Sequence, residues 1–172
     1  MVFRTADDHP ALPRIRQLLE VAFDGAFSDD DWRHTLGGWH VVLEEGGQPV
    51  AHAAVVPRAL EADGRAPRCG YVEGVATAPQ RQGEGLGTRA MTELDAVVRT
   101  HFEVGALSTD RQAFYERVGW ERWRGPTFVR DGGRLRRTAA EDDGILVLRF
   151  GPSRDVDLAS HIVCEARVGD DW

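Results

Sequence analysis

The sequence predicts an α/β fold, a mixed β-sheet flanked by helices, and three observations predict it. A strand-like segment, Tyr71 to Thr77, is stopped by Pro79; a glycine-rich turn, Gln82 to Gly87, follows; a helical run, Thr88 to Thr100, comes next. Around that block, β-prone and amphipathic runs follow the order β-α-α-β-β-β-α-β-α-β-β. The 172 residues, 42% hydrophobic and 28% charged, are enough for one domain, 1–172, with a core of its own.

Val2 to Thr5 reads as a short strand. Asp7 or Asp8 then caps a helix with Pro10 in its first turn, and Leu12, Ile15, Leu18, Leu19 and Ala22 form its apolar stripe. Ser28 caps a second helix, Asp31 takes the capping-box position three residues on, and Gly37-Gly38 ends it. Trp39 to Leu43 and Val50 to Val56, the latter reaching toward Leu60, make a hairpin around Glu45-Gly46-Gly47-Gln48. Asp63-Gly64 marks a turn, and Pro67 an edge or a strand start.

In the central strand, regular pairing puts Cys69, Tyr71, Glu73, Val75 and Thr77 on one face. Gly74 in its middle signals a bulge or a close backbone approach. Val104 to Ser108 is a strand and Arg111 to Val118 a helix closed by Gly119. Trp120 to Val129 is a strand interrupted at Gly125-Pro126, and Asp131 to Asp143 a polar loop opening on Gly132-Gly133. Ile145 to Phe150 and His161 to Val168 are the last strands, and Gly169 to Trp172 is a tail.

The net charge of −7 argues against a nucleic-acid partner, whose phosphates demand a basic surface. The acids gather at Asp29-Asp30-Asp31, Glu141-Asp142-Asp143 and Asp170-Asp171, which are either solvated loop residues or the lining for a cationic ligand. No apolar run reaches membrane-spanning length and the N-terminus lacks a signal-peptide core, so a cytoplasmic protein with no membrane partner is expected. Cys69 and Cys164 read as buried free thiols, with one disulfide between them as the alternative. The six histidines make no metal pattern, and no metal is expected.

Strand, glycine turn and helix start together make an anion site. Glycines let the backbone approach closely, and the first helical N–H groups lack intrahelical acceptors. No Gly-Lys-Ser/Thr ending exists, which excludes the nucleotide P-loop. Gly85-x-Gly87-x-x-Ala90 fits the loose dinucleotide fingerprint, but Gln80 to Glu84 intervene after the strand. Gln82-x-x-Gly85-x-Gly87, three residues after Pro79, resembles the Gln/Arg-x-x-Gly-x-Gly/Ala loop of the GNAT superfamily of acyl-CoA-dependent N-acyltransferases. Gln80-x-x-Gly83-x-Gly85 matches equally by letters; the later register is preferred because it places Leu86 on the helix face and keeps the Pro79 spacing. Ala113 to Trp120 is similar to the Phe-Tyr-x-x-x-Gly-Phe helix of the same superfamily.

This resemblance implies a GNAT-like sheet whose splayed central strands bind acetyl-CoA as cosubstrate. Backbone groups of Val75, Ala76 and Thr77 would hold the pantetheine arm, and Gln82, Gly83, Glu84, Gly85, Leu86 and Gly87 the pyrophosphate. Nearly end to end, the chain also resembles the aminoglycoside 2'-N-acetyltransferases. The matching segments include Asp31 to Gly38, Ala51 to Val55, Arg68 to Ala76, Gly105 to Ser108, Trp123 to Thr127, Asp142 to Gly144 and Gly169 to Trp172. The resemblance implies that Glu73 activates the 2'-amine through water and Tyr115 protonates the leaving thiolate. Asp31, Glu73, Gly74, Ser108, Asp142, Asp170 and the terminal carboxylate of Trp172 would bind the polycationic drug. At Ala26 the chain departs from the aspartate that relatives carry, and the family leaves a homodimer open. A GNAT acting on another small amine or on a protein amine, and a non-catalytic acyl-CoA or antibiotic binder, are the alternatives.

Overall fold

The computed structural model describes residues 1–5 and 9–172, so a cap at Asp7 or Asp8 lies outside the described residues. The chain forms two compact units, residues 1–56 with 72–97 and residues 57–71 with 98–172.

The first unit begins with β1 (Val2–Arg4), α1 (Leu12–Ala22), α2 (Asp29–Thr35), β2 (Trp39–Glu45) and β3 (Gln48–Arg58). Helix α1 starts two residues after Pro10, with Pro13 in its first turn and no side-chain cap at Ala11. Its stripe buries Leu12, Ile15, Leu18 and Leu19, and Leu12, Ile15 and Leu19 pack with Val42 and Ala76. Helix α2 opens on the expected box: Asp31 N–H donates to Ser28 Oγ, and Ser28 N–H to Asp31 Oδ2. β1 and β3 flank β2, both antiparallel. The β2–β3 turn is the two glycines Gly46 and Gly47, at φ of +55° and +75°, the pair of positive angles that a tight hairpin needs. β3 is followed in hydrogen-bonded order by β5 (Cys69–Thr77).

β5 is common to both units. Its first three residues pair in parallel with β6 (Val104–Ser108), Tyr71 opposite Ala106 being the last pair in register. On its other side β6 pairs antiparallel with β10 (Ile145–Arg149), and β10 with β7 (Glu121–Arg122). The helix after the glycine turn, α3 (Leu86–His101), begins two residues before the sequence-based boundary and buries Ala90, Met91, Leu94 and Val98.

In the second unit a further mixed sheet holds β4 (Leu60–Ala62), β11 (Ile162–Glu165), β8 (Thr127–Asp131) and β9 (Arg134–Arg137), in that order. The run Trp120 to Val129 is therefore two strands in two sheets. Gly125 marks the crossing: a Cβ there would lie 1.6 Å from the Ser160 carbonyl oxygen, so only glycine lets the backbone pass. The stretch expected as a polar loop contains β9, joined to β8 through Gly132 and Gly133 at φ of +53° and +83°. α4 (Gln112–Arg117) ends at Gly119, φ +97°. The tail is docked: Trp172 is buried and its indole N–H donates to Thr138 Oγ1. Cys69 and Cys164 are both free and buried, and burial pushes their thiols up to about 12 and about 11. No helix is long and apolar enough to cross a membrane among the described residues.

Candidate active site

In the first unit the site begins where β5 stops. Pro79 has no N–H for a ladder and opens a short 3-10 turn, Pro79–Arg81, closed by Arg81 N–H to Ala78 O at 2.8 Å. Gly83 and Gly85 follow at φ of +84° and +80°, with open space where a Cβ would stand. The first bond of α3 is Arg89 N–H to Gly85 O, 3.0 Å, so the N–H groups of Leu86, Gly87 and Thr88 have no acceptor within the helix. Gly85 is thus the residue before the helix, as in the later of the two motif registers. Donors without an intrahelical acceptor at the start of a sixteen-residue helix, reached over bare backbone, fit a pyrophosphate.

Arg81 stiffens this turn. Its Nε lies 2.8 Å from both oxygens of Glu84, while Nη1 and Nη2 meet Glu45 at 2.7 and 3.0 Å. Glu84 and then Glu45 hold the guanidinium proton more firmly, and Arg81 in turn holds both carboxyls below their usual range. The Glu84 side chain is committed to Arg81, so its backbone is what it offers to a phosphate.

Glu73 is half-buried on β5. Gly74 beside it breaks the strand's alternation at φ +57°, and a Cβ there would meet Thr35 Cγ2 at 2.9 Å. Of the two sequence alternatives, the close approach is seen here, together with the positive φ that only glycine takes easily. The Gly74 carbonyl accepts from His52 Nδ1 at 2.6 Å, and His52 Nε2 lies 2.9 Å from His40 Nδ1. Sequence reasoning tested the histidines only as metal ligands and missed this pair; the available signal was a histidine on an apolar face in each strand of one hairpin. Asp31 accepts the Ser28 N–H and hydroxyl on Oδ2, each at 2.8 Å, which leaves Oδ1 for a ligand. Its neighbours Asp29 and Asp30 are paired with Arg16 and Arg33.

The second unit gathers the remaining acids. Ser108, at the end of β6, hydrogen-bonds Glu141; burial first and then Asp170 push the Glu141 carboxyl above its usual range. Asp142 turns elsewhere. Its Oδ1 accepts from the Thr127 N–H at 3.0 Å, the Thr127 hydroxyl at 2.9 Å and Arg137 Nη1 at 2.7 Å, and Arg137 Nη2 takes Oδ2. Arg137 chiefly holds the Asp142 carboxyl down at about 2. The acid joined to Ser108 is Glu141; Asp142, expected as a drug contact, also ties Thr127 of β8 to Arg137 of β9. Asp170 is exposed and accepts the Trp172 N–H on Oδ1 at 3.2 Å.

Tyr115 is buried on α4, edge-on to Phe114 and Trp120. Burial, with Asp110 adding and Arg111 opposing, raises its phenol well above the ordinary value, so it carries its proton at neutral pH.

The acetyltransferase (GNAT) domain family matches residues 5–123 of this chain. An aminoglycoside 2'-N-acetyltransferase from Mycolicibacterium fortuitum is 41% identical over 161 residues, covering 91% of this chain and 83% of that protein. Among solved structures, a GNAT family acetyltransferase from Brucella melitensis in complex with acetyl-CoA superposes with a TM-score of 0.61, at 24% identity and 89% coverage of each chain. A GNAT family N-acetyltransferase from Escherichia coli in complex with CoA superposes with a TM-score of 0.67, at 19% identity, covering 95% of this chain and 88% of that one.

Proposed function

The chain belongs to the GNAT acetyltransferases, and we propose that residues 1–172 act as one domain, in the cytoplasm, moving an acetyl group from acetyl-CoA to the 2'-amine of an aminoglycoside. The observation that carries this reading is the 41% identity to an aminoglycoside 2'-N-acetyltransferase over nearly the whole chain.

Acetyl-CoA is held as a substrate. The N–H groups of Leu86, Gly87 and Thr88, which have no acceptor within α3, and the backbone of Gln82 to Gly85 take its pyrophosphate. Backbone groups of Val75, Ala76 and Thr77 take the pantetheine arm and the thioester. An aminoglycoside amine is largely protonated at neutral pH and must lose a proton before its lone pair can attack. Glu73 accepts that proton, through water, and the nitrogen then bonds to the thioester carbon while the carbonyl electron pair moves onto oxygen. As the pair returns, the carbon–sulfur bond breaks and Tyr115 gives its proton to the departing thiolate; the extra proton on the new amide nitrogen then restores the Tyr115 phenol, and Glu73 releases its own proton to solvent. The net change is ammonium plus thioester to amide, thiol and one released proton.

Negative charge fits the acceptor. Ser108, Glu141 and Asp170 form a linked acidic group in the second unit, with Asp170 bonded to the N–H of the terminal residue, Trp172. A half-buried carboxylate beside another is harder to ionise unless a cation arrives, and a polycationic drug supplies several. Thiol release from acetyl-CoA tests the reading: tobramycin should trigger it and a panel of peptide amines should not. Glu73→Gln should bind acetyl-CoA as before and lose turnover most at neutral pH, where the amine is charged. Release by peptides alone would move the chain to the protein-amine class.

A further inference from the structure

Two buried histidines end on one carbonyl. His40 on β2 and His52 on β3 stand opposite Ala54 and Val42 in the hairpin register, so they are diagonal neighbours on one face, and both are fully buried. A carbonyl oxygen only accepts, so His52 carries its proton on Nδ1, toward Gly74 O at 2.6 Å. Its Nε2 is then an acceptor, and His40 donates to it from Nδ1 across 2.9 Å. The Gly74 carbonyl thereby sets the neutral tautomer of His52, and the His40 ring beside it also meets the Thr35 backbone carbonyl. Burial is the main reason that neither takes a second proton near neutral pH, His40 falling to about 4 and His52 to about 3. Phe3 stacks on the His40 ring at 5.2 Å. An apolar pair of similar size would fill this face without stripping water from four ring nitrogens. What the histidines add is a donor for the Gly74 carbonyl, at a residue whose φ of +57° departs from ordinary strand geometry.

We infer that His52, held in its Nδ1–H tautomer by the Gly74 carbonyl it serves, is a positioning residue that aims the Val75 N–H at the thioester carbonyl oxygen of acetyl-CoA. The link is peptide planarity. Gly74 C=O and Val75 N–H belong to one trans peptide group and point in opposite directions. Holding the oxygen from the β3 side therefore fixes the line of the N–H on the side away from His52. As the amine attacks, negative charge gathers on the thioester oxygen, and a donor already aligned stabilises it without reorganising. The same grip sets the backbone next to Glu73. This inference rests on the acetyl-transfer reading and adds to it the device that holds the donor still.

The test binds carbonyl-labelled acetyl-CoA to the wild type, His52→Leu and His52→Gln, and reads the thioester carbonyl stretch by infrared difference spectroscopy. In the wild type the bound stretch should lie below that of free acetyl-CoA. His52→Leu should bind acetyl-CoA within about twofold of wild type, lose most of that lowering, and turn over tobramycin roughly 10- to 100-fold more slowly with little change in either KM. His52→Gln, whose amide N–H can reach the same carbonyl, should recover most of both. A wild-type stretch equal to the free value, or a full lowering kept in His52→Leu, overturns the inference. Nitrogen-15 spectra of the unsubstituted protein give a second reading that needs no variant to fold. His52 should be the Nδ1–H tautomer and should not titrate between about pH 5 and pH 9; an Nε2–H tautomer overturns the inference. Because the infrared reading needs only bound acetyl-CoA, a lowered stretch without tobramycin turnover would support the positioning role while removing the aminoglycoside reading.

Discussion

Arg137 grips both carboxylate oxygens of Asp142, and this pair turns Asp142 away from the residue before it, Glu141, which meets Ser108 instead. Two adjacent acids thus have different partners, and single substitutions should separate their effects.

Asp142→Asn should lower stability by about 1–2 kcal/mol, a modest figure because roughly a third of the pair remains open to water that screens it. Turnover per folded molecule should stay within about twofold of wild type. The carboxyl is depressed in the folded state, so its contribution is full above the ordinary carboxylate range and is lost as pH falls through about 2. Denaturant unfolding between about pH 7 and pH 2 should show the gap between wild type and variant closing at the acid end.

Glu141→Gln should act in the opposite way. Its folded-state carboxyl is raised by burial and Asp170, so the ionised form costs stability above its folded pKa, and that cost is relieved as pH falls through it. The uncharged variant should therefore unfold at an equal or higher temperature at pH 7. Its KM for the aminoglycoside should rise roughly tenfold, with the acetyl-CoA KM unmoved. Calorimetry and steady-state kinetics on one preparation check both signs.

The closing residues allow a similar separation. Asp171 accepts from the Arg167 backbone N–H and pairs with Arg136, and Trp172 is buried against Thr138. Deleting Asp170 to Trp172 should therefore cost about 3–5 kcal/mol in unfolding experiments. Asp170→Asn should leave stability nearly unchanged and raise only the drug KM. Equal loss of acetyl-CoA affinity in Asp170→Asn would place that residue in the scaffold.

At the coenzyme turn, Gly85→Ala meets no neighbour and is opposed only by its φ of +80°, at about 1–2 kcal/mol. A shifted helix start should raise the acetyl-CoA KM roughly tenfold and leave the amine KM near its original value. Titration of acetyl-CoA by calorimetry checks this directly.

Features carried by neighbouring residues were legible in the sequence. The Ser28–Asp31 box and the turn at Gly46-Gly47 each need only local chemistry, and both form as expected. The Gln82 to Gly87 turn was readable for the same reason, although the helix after it starts earlier, at Leu86. Features set by distant partners were not. β9 carries Arg134, Leu135, Arg136 and Arg137, all exposed, so no alternation marks it; its pairing with β8 makes it a strand. Gly125 changes sheets because the Ser160 backbone, far along the chain, leaves no room for a Cβ. His40, His52 and Gly74 meet only once β2, β3 and β5 have formed.

Regiochemistry tests the central claim most directly. In the proposed reading the Gln82 to Gly87 turn and the β5 backbone hold the thioester, so Glu73 would serve only the amine presented to it. Drugs with a 2'-amine, such as tobramycin, gentamicin and dibekacin, should be acetylated there. Kanamycin A and amikacin, which carry a 2'-hydroxyl, should not react. The measurement is product mapping by mass spectrometry and NMR after incubation with acetyl-CoA and either tobramycin or kanamycin A. The account predicts one acetyl group on the 2'-nitrogen of tobramycin and unreacted kanamycin A; acetylation of kanamycin A at a comparable rate would contradict it.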